Sequence, residues 1–284
     1  MTKPELEQSK SLVLQALHED LQKIGDITSQ AIVDPKRNAE AYIVAKEYGV
    51  LAGAELAKLT FKMLDEKVRI TFLLRDGAKI RKGQKVARIT GSAWAILAGE
   101  RTALNFLQRF SGIATLTSSF VKVAGKKIQI LDTRKTTPGM RILEKYAVRC
   151  GGGKNHRQGL FDQILIKDNH IEIAGSISEA LSRVNDFKIG KKLKVEIECQ
   201  TIAQVKEALL FRPEIIMLDN MTNIQIKNAV SLIRKESKRT KIEVSGGINL
   251  KRIVSLKKID LDYISVGALT HSVKALDLSL KMKS

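Results

Sequence analysis

The chain has 284 residues, 44% hydrophobic and 28% charged, a balance that supports a sizeable core, excludes a disordered chain and suits two domains. Cys150 and Cys199 lack Cys-x-x-Cys spacing and are too few for a disulfide framework, and no stretch resembles a signal peptide or a bilayer span; a reducing, cytoplasmic setting is expected. The formal charge is +19, yet aromatic residues are only 5% and do not interleave with the basic runs at 188–194 and 234–241, so a lysine-rich surface is the leading reading and nucleic acid a minor one.

The segment 5–23 carries Leu14, Leu17 and Leu21 at helical spacing and predicts an amphipathic helix ending at Gly25. Short β-prone runs at 39–46, 67–74 and 84–90, with Asp76-Gly77 and Lys82-Gly83 as turn signals, predict an α+β domain. From 95 to 121 a helical pattern returns, with Leu104, Leu107, Phe110 and Ile113 on an apolar stripe and Arg101, Asn105 and Gln108 on another. Such a helix would link two domains. Beyond it, apolar runs at 128–131, 164–166, 195–197, 215–218, 242–244 and 263–266 alternate with helical stretches. Runs of that length without alternation read as strands buried on both faces. A succession of βα units without a Gly-rich dinucleotide fingerprint favours a parallel α/β barrel over an open sheet.

The residues that end these runs are informative. They are Asp132-Thr133-Arg134-Lys135, Lys167-Asp168-Asn169-His170, Glu198, Asp219-Asn220, Ser245-Gly246-Gly247 and Gly267. In a barrel all of them meet at the C-terminal mouth, where such enzymes keep their chemistry. Any single polar ending is simply how strands stop; six endings this varied point to a site. Arg134, Lys135, His156, Arg157 and Lys167 supply enough positive charge for a ligand with several negative groups, since guanidinium forks match carboxylates and phosphates. Ser245-Gly246-Gly247-Ile248 and Gly267-Ala268 fall where barrels commonly bind phosphate. Glu198 and Asp219 would be costly there as unpaired charges and should hold a cation, hydroxyl groups or a base; ribose hydroxyls and Mg2+ would serve.

Other chemistries fit less well. The triple glycine at 151–153 lacks the Gly-Lys-Ser/Thr form of a phosphate loop, and His18, His156, His170 and His271 show no zinc spacing near a cysteine. Lys167 could form a Schiff base, but its basic neighbours favour pairing with ligand charge.

A series of motifs then resembles one family: Glu100-Arg101-Thr102-Ala103-Leu104-Asn105, Asp132-Thr133-Arg134-Lys135-Thr136-Thr137-Pro138-Gly139, Gly151-Gly152-Gly153-Lys154-Asn155-His156-Arg157, Leu165-Ile166-Lys167-Asp168-Asn169-His170, Ser245-Gly246-Gly247-Ile248 and Ser265-Val266-Gly267-Ala268-Leu269-Thr270-His271-Ser272. In this order they are similar to quinolinate phosphoribosyltransferase, and Gly25-Asp26-Ile27-Thr28 and Gly49-Val50-Leu51-Ala52-Gly53 extend the resemblance over nearly the whole chain. One departure is Gln22, where the pattern often has glycine.

The resemblance implies an α/β protein: an N-terminal α/β sandwich domain (1–110, completed by the tail 273–284) and an open parallel β/α barrel of seven strands (111–272) carrying the active site. It implies transfer of phosphoribose from phosphoribosyl diphosphate to quinolinate with decarboxylation, in de novo NAD biosynthesis. Arg134, Lys135, His156, Arg157 and Lys167 would bind the two substrates, with Arg101 reaching in from the partner subunit of a homodimer, itself able to build a higher oligomer. Glu198 and Asp219 would serve ribose and Mg2+, with Lys135 in the catalytic set, and Ser245, Gly246, Gly267 and His271 the phosphate region. A molybdenum-uptake-associated relative on the same scaffold is the rival within the fold, and the complete basic set argues against it.

Overall fold

The computed structural model describes residues 1–190 and 192–283. First come α1 (Lys3–Leu21), α2 (Ile27–Ile32), β1 (Asn38–Ala45), β2 (Gly49–Val50), α3 (Ala54–Leu64), β3 (Arg69–Phe72), β4 (Lys79–Ile80), β5 (Lys85–Ser92) and the long helix α4 (Ala93–Ala124). Then follow β6 (Gln129–Leu131), α5 (Arg141–Cys150), β7 (Ile164–Ile166), α6 (Asp168–Ala174), α7 (Ile177–Phe187), β8 (Val195–Cys199) and α8 (Ile202–Leu209). Last are β9 (Ile215–Asp219), α9 (Asn223–Glu236), β10 (Lys241–Ser245), α10 (Leu250–Leu256), β11 (Tyr263–Ser265), α11 (Ala268–His271) and β12 (Leu278–Met282). The chain divides into two compact units. One comprises Met1–Ser118, Thr136–Gly152 and the stretch from Leu269 onward, the other Ser119–Lys135 and Gly153–Ala268.

The first unit is built on an antiparallel sheet of order β12-β1-β5-β3. Alternation along β1 sends Ala41, Ile43 and Ala45 inward, where they meet Phe61 of α3 and Ile96, Leu104 and Leu107 of α4 in one apolar core. Each large aliphatic side chain buried there contributes about 1.5–3 kcal/mol. The tail is held by α4: Gln108 Nε2 donates to Leu278 O at 2.8 Å, and at Gly112 an added Cβ would stand 2.2 Å from Lys274 O. Helix α5 is anchored through Glu144, fully buried, which pairs with Arg109 at 2.7 Å and accepts from the Thr137 N–H at 3.1 Å.

Helix α1 keeps part of the expected face: Leu17 is buried and Leu21 partly so, but Glu5, Ser9 and Val13 complete the inner row and Leu14 is exposed. The cause is polar, because Glu5 pairs with Arg149 of α5 and Ser9 Oγ donates to Glu5 O. Gln22 ends α1 at φ 49°, a left-handed backbone that favours glycine and explains why its position matters.

The second unit holds six parallel strands in the order β6-β11-β10-β9-β8-β7. All six apolar runs are strands. The sheet has six strands where the resemblance implies seven, and Lys154 adds only an isolated parallel bridge to Leu131. The helices start where their caps dictate: the side chains of Ser176, Thr201, Thr222 and Asn249 accept the N–H of Glu179, Gln204, Gln225 and Arg252. In register, Cys199, Leu218, Val244, Ile264 and Ile130 form one apolar row across the sheet. The alternate row runs Glu198, Met217, Glu243, Tyr263 and Gln129. The opposite face therefore carries charge inside the fold.

Candidate active site

Period-two alternation on three neighbouring strands puts Glu196 and Glu198 (β8), Asp219 (β9) and Glu243 and Ser245 (β10) on one face. Glu198, expected to follow its strand, lies within it. Its buried carboxylate receives Lys167 Nζ at 2.8 Å, the lysine standing at the end of β7. Asp219 and Ser245 end their strands opposite each other, and Asp219 Oδ2 accepts from Asn220 Nδ2 at 2.6 Å.

The loops beyond β9 and β10 are locked together. Asn220, at φ 54°, donates its N–H to Ser245 O, and Arg252 donates to Gly246 O and Met221 O, both at 2.6 Å. Gly246 has φ 86°, and a Cβ there would lie 2.1 Å from Asn220 Oδ1, so only glycine fits. Gly247 is also left-handed, at φ 58°, and Gly267 immediately precedes α11.

Asp132, fully buried after β6, organises the basic side. It accepts from Asn155 Nδ2 at 2.5 Å and from the His156 N–H at 2.9 Å, pinning the segment that bears His156 and Arg157. His156 Nδ1 accepts the Arg157 N–H at 2.7 Å, so the ring proton sits on Nε2, 3.0 Å from Glu196 Oε2 and 3.6 Å from Glu243 Oε1. Arg157 is buried and donates from Nη1 to Gln163 O at 3.3 Å. Burial, then the charge of Arg134, push the Arg157 guanidinium down from its ordinary value, against the pull of Glu196 and Asp162.

Glu196 and Glu243 have no exposed surface. Glu196 Oε1 and both oxygens of Glu243 lack a hydrogen-bond partner. Burial, then the neighbouring Glu196 charge, push the Glu243 carboxyl up to about 8, a shift toward its protonated form. His156, Glu196 and Glu243 offer ligand atoms within 4.8 Å of one another, the one such group among the described residues. The imidazole Nε2 faces Glu196, and Arg157 follows His156 directly in the chain. The sequence reading passed over Glu196, Glu243 and Gln163.

Arg134 is partly buried and Lys135 exposed, its N–H donating to Thr133 Oγ1 at 3.1 Å. Two expected site residues belong to the first unit: Arg101 is exposed on α4, and His271 Nδ1 lies 2.6 Å from Ser272 Oγ. Gln108, placed on the same stripe as Arg101, spends its amide on the tail. The remaining expected positions, from Arg134 to Gly267, lie in the second unit.

A parallel β/α unit whose strand ends carry paired cations, buried carboxylates and tight glycine loops, joined to a second α/β unit, defines an enzyme that handles polyanions. Residues 26–111 match the N-terminal domain and 113–281 the C-terminal domain of quinolinate phosphoribosyl transferase; the chain belongs to this family. It is 46% identical over 257 residues to the probable nicotinate-nucleotide pyrophosphorylase [carboxylating] of Bacillus subtilis, covering 90% of this chain and 87% of that protein. It is 42% identical over 287 residues to quinolinate phosphoribosyltransferase [decarboxylating] 1b of Nicotiana tabacum, covering 96% of this chain and 82% of that one. The crystal structure of NadC from Streptococcus pyogenes superposes with a TM-score of 0.92 at 40% identity, over 98% of this chain and 97% of that one.

Proposed function

We propose that this protein joins quinolinate to phosphoribosyl diphosphate and releases carbon dioxide, giving nicotinate mononucleotide and diphosphate in de novo NAD biosynthesis. The observation that carries this reading is the match of residues 26–111 and 113–281 to the two quinolinate phosphoribosyl transferase domains, with Arg157 buried in the second unit. A buried guanidinium whose charge is opposed by that of Arg134 favours an incoming carboxylate, and the fork geometry suits it. Lys167, just after β7 in the same unit and shared with Glu198, adds a further cation, and a dianion such as quinolinate suits this set.

The ring nitrogen of quinolinate attacks C1 of the phosphoribosyl group as diphosphate leaves through an oxocarbenium-like state. The resulting pyridinium holds the electron pair left when the carboxylate beside the nitrogen departs as carbon dioxide, and a proton takes its place. Arg134 and Arg157 hold the carboxylates. Lys135 and Lys167 act on the developing and leaving charge, Glu198 and Asp219 face the ribose and its cationic transition state, and Ser245, Gly246, Gly247, Gly267 and His271 take phosphate. Alignment and preorganised charge supply most of the acceleration.

Glu198 and Asp219 are oxygen donors, which suit Mg2+, an ion that takes one or two carboxylates and completes its shell with substrate phosphates and water. Bound with phosphoribosyl diphosphate, Mg2+ would offset charge on the leaving group. The working assembly is a homodimer in which Arg101 serves the partner's site, resident in the cytoplasm, where unpaired Cys150 and Cys199 stay reduced. Incubation with quinolinate, phosphoribosyl diphosphate and Mg2+ tests the activity: nicotinate mononucleotide is the expected product, and its absence would reject it.

A further inference from the structure

We propose that Glu196 and Gln163 are positioning residues for quinolinate recognition, holding His156 and Arg157 from behind through a closed ring of contacts. The ring runs from Glu196 Oε2 to His156 Nε2 at 3.0 Å, along the chain to Arg157, and from Arg157 Nη1 to Gln163 O at 3.3 Å. It closes where Gln163 Nε2 donates to the same Glu196 oxygen at 2.6 Å. Each link restrains the next. The Nδ1 of His156 is held by the Arg157 N–H, so both ring nitrogens have partners inside the protein and the imidazole acts as a strut between Glu196 and the Arg157 backbone.

The chemistry explains why a charge is buried here. A guanidinium that reads a carboxylate must be held within about 0.5 Å of its working geometry by groups that are themselves fixed. The charge of the Glu196 carboxylate acts on Arg157 against that of Arg134, while the bond to Gln163 O gives the guanidinium its direction. Gln163 joins that carboxylate to the carbonyl that Arg157 grips. A ring of this kind costs buried polar groups and is retained for position rather than for stability.

This inference rests on the reading that Arg157 binds quinolinate. The test compares Glu196→Gln, Gln163→Ala and Arg157→Lys by quinolinate binding calorimetry and by steady-state kinetics in both substrates. Loss of a charge-assisted contact should raise the Kd and KM for quinolinate about tenfold to a hundredfold in the Glu196 and Gln163 variants. The KM for phosphoribosyl diphosphate should stay within about twofold in the same variants, because the lesion is confined to one side of the site. Gln163 is only partly buried, so its variant carries the test if Glu196→Gln fails to fold. Unchanged quinolinate affinity in the positioning variants, with affinity lost in Arg157→Lys, would overturn the inference while leaving the reading intact. Equal rises in both KM values would reduce the ring to general structure and overturn it as well. Wild-type affinity in Arg157→Lys would remove the reading itself.

Discussion

Lys167 Nζ and Glu198 Oε2 are 2.8 Å apart, with the carboxylate buried and the ammonium partly exposed. The lysine can therefore turn to a ligand only by sharing its charge with Glu198. Lys167→Ala should lower kcat/KM for quinolinate about tenfold to a hundredfold, and Glu198→Gln should impair turnover as well. Because the residues touch, the double variant should lose less than the product of the two single losses. Strictly multiplicative losses would show that the pair does not act as a unit.

Gly246 and Asn220 fix the loops at the ends of β10 and β9. Gly246→Ala must place a Cβ against Asn220 Oδ1 and the Asn220 backbone while keeping a left-handed φ, a strain of about 1–3 kcal/mol. The variant should melt earlier and show a raised KM for phosphoribosyl diphosphate. Adding Asn220→Gly, which removes the clashing side chain and relaxes φ 54°, should restore part of both losses. A Gly246→Ala protein with wild-type melting and KM would remove the loop from the phosphate site.

Glu243 gives the stability a direction in pH. Unfolded, the carboxyl ionises near 4.5; folded, at about 8. Between those values the folded protein holds the extra proton, so this group makes stability fall as pH rises, with the full loss reached above the folded value. Glu243→Gln cannot ionise. Its unfolding free energy in urea should fall less steeply over that window, leaving it the more stable form at alkaline pH relative to the parent. Parallel curves for the two proteins would mean that Glu243 is ionised in the fold.

Arg101 is exposed on α4, and the proposed dimer lends it to the neighbouring site. Arg101→Ala and Lys135→Ala proteins should each be nearly inactive. Refolded together, they should form mixed dimers with one intact site, recovering about a quarter of wild-type activity by random pairing. Confirmed subunit exchange with no recovery would show that Arg101 does not serve the partner.

Much of this architecture is legible in the sequence because the barrel strands are short apolar runs, and each of 128–131, 164–166, 195–197, 215–218, 242–244 and 263–266 coincides with a strand. What escaped is one acid inside each of two of them, Glu196 and Glu243, while Glu198 and Ser245 are legible as strand endings. Val195-Glu196-Ile197-Glu198 and Ile242-Glu243-Val244-Ser245 alternate acid or hydroxyl with apolar residues, a period-two signal for one charged inner face, hidden because the apolar members alone satisfy the pattern of a buried strand. Helix α5 escaped for the opposite reason: it buries Glu144 and Lys145 alongside Leu143, Ala147 and Val148, so hydrophobicity underreports its inner face. In α1 the same effect hid Glu5 and Ser9 from the inner row, so Leu14 reads as part of a face that Leu17 does share. Asp132 reads from sequence as a ligand-binding ending, whereas its carboxylate is spent on Asn155 and His156.

The most direct measurement supplies the purified protein with phosphoribosyl diphosphate, Mg2+ and quinolinate labelled in the carboxyl group beside the nitrogen, with nicotinate in a parallel reaction. Arg134 and Arg157, whose charges repel across the same unit, are each assigned a carboxylate, so turnover requires both. The expected result is one labelled carbon dioxide released per nicotinate mononucleotide from quinolinate, with no product from nicotinate. Comparable turnover of nicotinate, or mononucleotide formed without release of the label, would contradict it.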